Sequence, residues 1–225
     1  MNVKGFKVNF LGDSITEGVG VTDIANSRYD NRLKVLCQLS AVNNYGISGT
    51  RLAHQIHASE NPRFDLCFCG RAYNMDTSAD MVIVYGGVND YIHGDASFGQ
   101  PGDTTPATFC GAVYFLMKYL KENYAGKPVI FVTPARMFLR HEVDDLQPSV
   151  HPRKNAVGKV LQAYVNVIIK TGKQFGIPVL DLYRTLGLDP HDEACFEAYT
   201  VDGLHFNDAG QGVLAQRLKE FIEAL

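Results

Sequence analysis

The stretch "NFLGDSITEGVG", residues 9–20, begins with apolar residues and then breaks at Gly12, Asp13 and Ser14. An apolar run that stops in this way is typical of a buried strand followed by a turn or a helix start. We therefore predict that a strand ends near Gly12. Ser14 then lies at the tip of this strand, where its hydroxyl is exposed at the edge of the sheet.

The same β-rich character recurs in four further segments of the chain. The predicted strands cover residues 7–12, 41–47, 80–87, 128–134 and 178–183. The central ones are continuous apolar and β-branched runs rather than alternations of apolar and polar residues. Such runs indicate strands that are covered by helices on both faces.

Helical patterns separate the strands. Apolar residues recur on one face over residues 105–123 and again over residues 154–175, as in amphipathic helices. Gly176 is placed to end the second helix. A last helix begins behind Asn207 or Asp208, either of which suits the N-cap position.

Alternating strands and helices predict a parallel sheet, because each crossover to the same edge is usually helical. The predicted fold class is therefore α/β, with a three-layer α/β/α sandwich of the flavodoxin-like type. The common order for a five-stranded parallel sheet of this type is 2-1-3-4-5. We expect residues 1–225 to form a single domain, since no second one is evident.

Composition limits the classes of partner. Of 225 residues, 46% are apolar and 20% charged, and the net charge is −3, which is no electrostatic footprint for nucleic acid. The longest apolar stretches, "MVIVY" and "YVNVII", are far shorter than the roughly 20 residues of a membrane-spanning helix. We therefore expect neither a nucleic-acid nor a membrane partner, and the oligomeric state stays open.

The cysteines and the first residues bear on the compartment. Five cysteines are an odd number, which argues against a disulfide framework and for a reducing environment. No apolar block of signal-peptide length opens this chain. The expected location is the cytoplasm, with a trimmed secreted parent as the alternative.

No cofactor and no metal are expected. Cys67 and Cys69 are one residue apart without a second pair, whereas zinc sites usually space their cysteines by two to four residues. His54 and His57 are three apart on a segment predicted to be helical, but no carboxylate or third histidine stands at a matching spacing.

Chemically useful residues follow four of the predicted strands. Ser14 follows the first, Gly49 the second and Asn89 the third, while Asp202 and His205 come some twenty residues after the fifth. The carboxyl ends of parallel strands meet at one edge, where open α/β sheets bind their ligands. We therefore expect these five residues to converge.

The five residues can together perform acyl transfer. A serine becomes a nucleophile when a base takes its proton, and the base needs an orienting carboxylate. His205 and Asp202 supply both, since their spacing of three residues allows one tight turn to join them. The backbone N–H groups of Ser14 and Gly49 and the side-chain amide of Asn89 are candidate donors for an oxyanion hole.

Four blocks of the sequence also carry a family resemblance. "GDSITEG", "GISG", "GGVND" and "DGLH" occur in this order over essentially the whole chain. They resemble the four blocks of the SGNH hydrolases, also called the GDSL esterase/lipase family. The resemblance implies a flavodoxin-like sandwich with Ser14 as nucleophile, His205 as base, Asp202 as its orienter, and an oxyanion hole that includes Gly49 and Asn89.

Each residue also has a local, structural interpretation. Ser14 suits an N-cap, with Glu17 completing a capping box, and Asn89 and Gly49 suit turns. Ser48 is a rival serine, but the sequence lacks the G-x-S-x-G elbow, and we interpret it as a turn residue. Asp13 and Asp90 are interpreted as structural groups that bind backbone N–H groups of the nearby turns.

Two long polar loops, residues 91–106 and 135–155, follow strand ends and are candidate walls of the site. Their aromatic residues Tyr91, Phe98 and Phe138 are candidate substrate-binding residues, with packing of their own loops as the alternative. Disordered surface is an equally good interpretation of the second loop.

The predicted function is a serine esterase that acts on short acyl esters, especially acetyl esters on a carbohydrate or another small polar scaffold, because no amphipathic lid is evident. Lipase, lysophospholipase or thioesterase activity is the alternative within the same family. An alternative of another class is a non-catalytic flavodoxin-like module that binds phosphate or flavin at the helix start after the first strand. That module needs neither Asp202 nor His205.

Overall fold

The computed structural model describes residues 1–139 and 153–225, and within them five parallel strands form one sheet in the order β2-β1-β3-β4-β5. This confirms the predicted α/β class and strand order. The strands are β1 (Lys7–Gly12), β2 (Ala41–Gly46), β3 (Met81–Tyr85), β4 (Val129–Val132) and β5 (Val179–Leu180).

The strand register brings the ends of β1, β2 and β3 to one level. Gly12, the last residue of β1, lies opposite Gly46 of β2 and Tyr85 of β3. The segments that leave these strands therefore start at the same edge of the sheet. This is the edge at which the sequence places Ser14, Gly49 and Asn89.

Helices connect the strands and flank the sheet. Among the described residues they are α1 (Ser14–Glu17), α2 (Ile24–Ser27), α3 (Tyr29–Leu36), α4 (Phe68–Arg71), α5 (Val88–Ile92), α6 (Phe109–Asn123), α7 (Leu161–Phe175), α8 (Leu182–Thr185), α9 (Glu193–Tyr199) and α10 (Asp208–Ala224), with 3₁₀ turns at Pro62–Asp65 and Ala72–Asn74. None of these helices combines the length and the apolar character that crossing a membrane requires.

Alternate side chains of each strand enter two separate cores. Val8 and Phe10 of β1 belong to a core that also contains Leu33 of α3 and Leu214 and Leu218 of α10. The next side chain, that of Leu11, enters the core on the opposite face, which contains apolar residues of α4, α6 and α7. The sheet is thus the middle layer, as the β-branched central strands predict.

Several helix and strand boundaries differ from the prediction. The helix predicted over residues 154–175 begins only at Leu161, because the preceding residues form a turn. In this turn Gly158 has a φ of +73°, and its N–H donates to the carbonyl of Asn155. Val157, an apolar residue within the range predicted to be helical, is exposed.

Two other boundaries, one of a helix and one of a strand, differ from the prediction because a polar residue caps a helix there. The helix predicted over residues 105–123 begins at Phe109, where the side chain of Thr108 accepts from the N–H of Gly111. The last strand is shorter than predicted, since Asp181 caps α8. Asn207 is the N-cap of α10, and Gly176, in the left-handed conformation, ends α7, as predicted.

The short helix α1 packs directly on the end of β2 because Gly46 has no side chain. A Cβ atom at position 46 would lie 2.6 Å from the carbonyl carbon of Thr16, which is backbone and has no room to yield. The side-chain amide of Asn44 reinforces this contact by donating to the carbonyl oxygen of Thr16. The position of α1, and of Ser14 within it, therefore depends on a glycine in the neighbouring strand.

Asp13 caps α1 from a fully buried position. Its Oδ1 accepts a hydrogen bond from the N–H of Ile15 at 3.1 Å, whereas Oδ2 has no hydrogen-bond partner among the described residues. Burial raises the pKa of this carboxyl from 3.8 to about 6, even though the Ile15 N–H lowers it. Ionisation of Asp13 therefore opposes folding.

The substitution Gly46→Ala should lower the free energy of unfolding by about 3 kcal/mol or more, because the added methyl group meets backbone. Gly70→Ala is the matched control, since a Cβ there meets only Cys67 Sγ at 3.5 Å and the residue lies in a helix, where alanine is favoured over glycine by about 1 kcal/mol. Urea unfolding measures both, and equal stability of the two variants would contradict the packing argument.

The substitution Asp13→Asn should stabilise the protein more at pH 8 than at pH 5, relative to wild type. The folded-state pKa lies above the unfolded value, so wild type loses stability as the pH rises from about 4 through about 6, and asparagine does not titrate. Between pH 5 and pH 8 the difference should change by on the order of 1 kcal/mol. Thermal unfolding at the two pH values tests this, and an unchanged difference would place the carboxyl in a polar environment instead.

Candidate active site

Ser14 is the first residue of α1, directly beyond the end of β1. Asp13, not Ser14, is the N-cap of this helix, so the capping-box interpretation of Ser14 is wrong. The Glu17 carboxylate does not reach back to the cap but accepts from the N–H and hydroxyl of Ser48 and from Arg63. The hydroxyl of Ser14 is thus not used in helix capping.

A chain of two hydrogen bonds links Ser14 to an imidazole and a carboxylate. Ser14 Oγ lies 2.8 Å from His205 Nε2, and His205 Nδ1 lies 2.6 Å from Asp202 Oδ2. Both partners are on the loop between α9 and α10. The structure therefore brings together the hydroxyl, imidazole and carboxylate that the sequence analysis singled out.

The carboxylate of Asp202 is held in place by its own loop. Its Oδ1 accepts from the N–H groups of Leu204 and His205 at 2.9 and 2.7 Å. Burial acts to raise the pKa of Asp202, but these bonds and that from the imidazole lower it to about 2. An ionised Asp202 accepts from Nδ1–H, which leaves Nε2 as the acceptor for the Ser14 hydroxyl.

Gly203 permits the tight turn between Asp202 and His205. Its φ is +86°, and a Cβ there would lie 2.8 Å from the carbonyl carbon of Phe138. The N–H of Phe138 donates to the carbonyl oxygen of Gly203 at 3.0 Å. The segment after β4 therefore supports the Asp202–His205 turn through backbone contacts, and the Phe138 ring packs against His191.

Gly49 lies on the loop after β2, and Asn89 lies in α5, the short helix after β3. Asn89, 3% exposed, donates from Nδ2 to the carbonyl oxygen of Thr50 at 3.0 Å. An amide group carries two hydrogens, so one donor remains. Among the described residues, the backbone N–H groups of Ser14 and Gly49 are not engaged in hydrogen bonds.

The Gly49 turn is shaped by a positive φ and by close packing. Its φ is +74°, and a Cβ would lie 2.6 Å from the ring of Phe64. Asp90 holds the next residues, since its carboxylate accepts from the N–H groups of Leu52 and Ala53. The predicted structural role of Asp90 matches these contacts.

The aromatic residues of the loop 91–106 face the core of the protein. Tyr91 is buried and packs edge-on against Tyr164, and Phe98 packs against Phe109 and Tyr164. These rings thus pack against residues of α6 and α7. Of the second loop, residues 140–152 lie outside the described residues.

A small cleft is lined by residues next in sequence to Ser14, Asn89 and His205, although these three residues are not themselves part of its lining. Ile15 follows Ser14, Val88 precedes Asn89 and Leu204 precedes His205, and all three line the cleft. The remaining lining residues are Tyr85, Gly86, Pro134, Ala135 and Arg136. The walls near the reactive groups are thus mainly apolar.

His54 and His57 do not lie on a helix, contrary to the prediction. The imidazole of His57 instead pairs with Asp95 at 3.1 Å. Among residues 1–139 and 153–225, no cluster of three potential ligands from His, Cys, Asp and Glu is placed to hold a metal ion.

Two residues behind the site were missed by the sequence analysis. Gln211 is completely buried, accepts from the N–H of Tyr29 and donates to the carbonyl oxygen of Ile15. A glutamine on the apolar face of the last predicted helix indicates a buried side chain that hydrogen-bonds neighbouring elements. Arg71, which binds carbonyl groups at the ends of β1 and β2, carries no sequence signal.

Solved structures similar to this chain share its fold. A protein from Lactobacillus plantarum is 30% identical, with a TM-score of 0.81 over 99% of this chain and 98% of that one. An acetyl xylan esterase is 20% identical, with a TM-score of 0.61 over 95% and 98% of the two chains. A two-domain esterase active on acetylated mannans is 18% identical, with a TM-score of 0.63 over 97% of this chain and 48% of that one. At such identities the last two show the fold alone.

The family assignment rests on a family match that covers most of the sequence. No curated protein matches this chain. Residues 10–213, most of the chain, match the GDSL-like lipase/acylhydrolase family, and this stretch contains the β1–α1 junction as well as the loop that carries Asp202 and His205. The chain therefore belongs to the GDSL-like lipase/acylhydrolase family, the SGNH hydrolases, whose members include esterases and lipases.

Proposed function

We propose that this protein is a serine esterase that hydrolyses short acyl esters, acetyl esters above all, through an acyl-enzyme on Ser14. The observation that carries the proposal is the continuous chain from Ser14 Oγ to His205 Nε2 and from His205 Nδ1 to Asp202, at 2.8 and 2.6 Å. Both distances lie within normal hydrogen-bonding reach. A nucleophile, its base and an orienting carboxylate are the parts that acyl transfer needs.

In the first half-reaction Ser14 Oγ attacks the ester carbonyl carbon while His205 Nε2 takes the hydroxyl proton. The new C–O bond turns the carbonyl oxygen into an oxyanion. Asp202 stabilises the imidazolium that has formed and keeps its orientation. The imidazolium then gives its proton to the leaving alcohol oxygen as the C–O bond to the alcohol breaks, which leaves an ester on Ser14.

In the second half-reaction water repeats the same steps. His205 takes a proton from water as the water oxygen attacks the acyl carbon of the acyl-enzyme. The second tetrahedral intermediate collapses when Ser14 Oγ leaves and receives the proton from His205. The products are a carboxylic acid and the regenerated serine.

Three donors are assigned to the oxyanion in this proposal. The N–H of Ser14 lies at a helix start, where the N–H groups have no partner within the helix. The N–H of Gly49 and the second hydrogen of the Asn89 amide are also available among the described residues. Donors fixed in advance stabilise the developing charge without reorganisation.

The enclosed part of the cleft is small, with only about 10 Å³ that the centre of a water-sized sphere can reach. So little room favours a short acyl group over a long one. Two fold relatives, an acetyl xylan esterase and an esterase active on acetylated mannans, make acetylated carbohydrates the first substrates to test.

A non-catalytic phosphate- or flavin-binding module is the less favoured candidate. An anion at the start of α1 would meet the carboxylate of Asp13, and the Ser14 hydroxyl is already bonded to His205. Such a module also has no use for the Asp202–His205 pair. A colourless protein that hydrolyses esters would exclude flavin binding as the main function.

The decisive experiment measures kcat/KM on nitrophenyl esters from acetate to octanoate, on a thioester, and on acetylated xylan and mannan. We expect the acetate to be the best nitrophenyl ester, with activity falling as the acyl chain lengthens, because the cleft is small. A preference for octanoate or for the thioester would instead favour the lipase or thioesterase alternative.

Ser14→Ala is the variant that tests the nucleophile within this panel. It should abolish turnover while unfolding remains cooperative. Ser48→Ala is the matched control, because Ser48 is the rival serine and its hydroxyl binds Glu17 rather than His205. Turnover that persists in the first variant and vanishes in the second would reassign the nucleophile.

The substitution Asn89→Ala should lower kcat by about 10² to 10³, the usual cost of losing one oxyanion donor. KM should change little, since the donor acts mainly on the transition state. Asn9→Ala serves as control, because Asn9 is also a buried asparagine but binds Tyr124 and the Asp76 carbonyl at the other end of the sheet. A similar loss of kcat in both variants would indicate general loosening rather than a missing donor.

A further inference from the structure

Arg71 is a buried cation directly behind the candidate active site. Arg71 is only 8% exposed. It lies on α4, outside the four sequence blocks that carry the family resemblance. The guanidinium donates from Nε to the carbonyl oxygen of Leu66 at 2.7 Å. Its other bonds go to groups at the carboxyl edge of the sheet.

These bonds join the segments that carry the reactive groups. Nη2 donates to the carbonyl oxygen of Gly12 at 3.0 Å and to Thr50 Oγ1 at 2.8 Å, and Nη1 donates to the carbonyl oxygen of Tyr45. Gly12 is two residues before Ser14, and Thr50 directly follows Gly49. One guanidinium thus connects the end of β1, the end of β2 and the Gly49 turn.

Thr50 extends the connection to Asn89. Its hydroxyl donates to the carbonyl oxygen of Ile47 and so accepts from Arg71 with a lone pair. Its own carbonyl oxygen accepts from the Asn89 amide. The position of Asn89 relative to Ser14 is therefore set through Thr50 and Arg71.

The electrostatic surroundings agree with a charged guanidinium. Burial lowers the pKa of Arg71 to about 10, although the nearby Asp13 and Glu17 act to raise it, so the group stays cationic at neutral pH. The five N–H donors of arginine in a rigid plane can hold several acceptors in a fixed geometry. Lysine would keep the charge but not this geometry.

We propose that Arg71 is a positioning residue for acyl transfer, whose guanidinium holds the Gly49–Thr50 turn and the Asn89 amide in the geometry that receives the oxyanion formed on attack by Ser14. The inference rests on the proposed esterase function. It assigns Arg71 no contact with substrate. Its effect falls on the transition state, because the groups that it positions act when the oxyanion forms.

The test compares Arg71→Lys with Arg51→Lys. Arg51 is similarly buried, at 7% exposed, and directly follows Thr50, but it donates to the carbonyl oxygens of Phe64 and His93 and not to Gly12 or Thr50. Both variants should lose thermal stability. Only Arg71→Lys should lower kcat, by roughly 10- to 100-fold with KM within about twofold, since small displacements of reacting groups cost about this much.

A second variant keeps the proposal testable if Arg71→Lys does not fold. Thr50→Val removes the hydroxyl that accepts from Arg71 and leaves the carbonyl group that holds Asn89. It should also lower kcat at nearly unchanged KM. Where Arg71→Lys does fold, the double variant of Arg71→Lys and Thr50→Val should lose no more kcat than Arg71→Lys alone, because both changes cut the same connection.

Three outcomes would overturn the proposal: equal kcat loss in the Arg71 and Arg51 variants, full kcat in folded Arg71→Lys, or full kcat in Thr50→Val when Arg71→Lys does not fold. Failure of the proposed function has a different signature. In that case wild type and Ser14→Ala are equally inactive on every ester, and the role of Arg71 falls with it.

Discussion

The candidate site depends on one contact between distant parts of the chain, the hydrogen bond between Ser14 Oγ and His205 Nε2. Because 191 residues separate the partners, local structure alone cannot create it. Gln211, in the first turn of α10, ties this helix to Ile15 of α1 and to Tyr29 of α3. The packing of α10 on the sheet thereby helps to set the distance between the side chains of His205 and Ser14.

Buried charge gives the edge of the sheet its rigidity. Isolated buried charges are costly, so most are hydrogen-bonded. Asp90 is held by two N–H groups, and Arg71 binds four acceptors. Loops fixed by such bonds cannot shift without leaving a charge unpaired. The loops after β1, β2 and β3 are thus held in one arrangement before substrate arrives, which is the condition under which oxyanion donors are effective.

The sheet could be predicted from sequence because its signals are local. Apolar runs, glycines and polar turns mark the strands, and the converging strand ends indicate the edge at which Ser14 and His205 meet. The start of α7 lies later than the apolar periodicity predicts, because Val157 continues that periodicity while Gly158 imposes a turn. At this position the turn at Gly158, and not the apolar periodicity, determines the backbone conformation.

Arg71 was not predictable because three of its four acceptors, in Gly12, Tyr45 and Thr50, are distant in sequence. The carbonyl groups among its acceptors are present in every residue, so the sequence does not indicate which of them a given arginine will bind. The rings of Tyr91 and Phe98 illustrate a related limit. The composition of a loop shows that aromatic rings are present, but the direction in which they point depends on Tyr164 and Phe109 of the packed helices.

Under the proposed function, the cleft limits the size of the acyl group and of the alcohol group of the ester. The carbonyl group must lie between Ser14 and the donors at Gly49 and Asn89, so one substituent enters the cleft beside Ile15 and Leu204 and the other points away from it. A cleft this small favours an acetyl group over a sugar chain. If the acyl group enters, the alcohol faces solvent and can belong to a polymer, whereas the reverse orientation would exclude polymers. Selectivity for short acyl groups and tolerance of large alcohols are therefore two consequences of the same geometry.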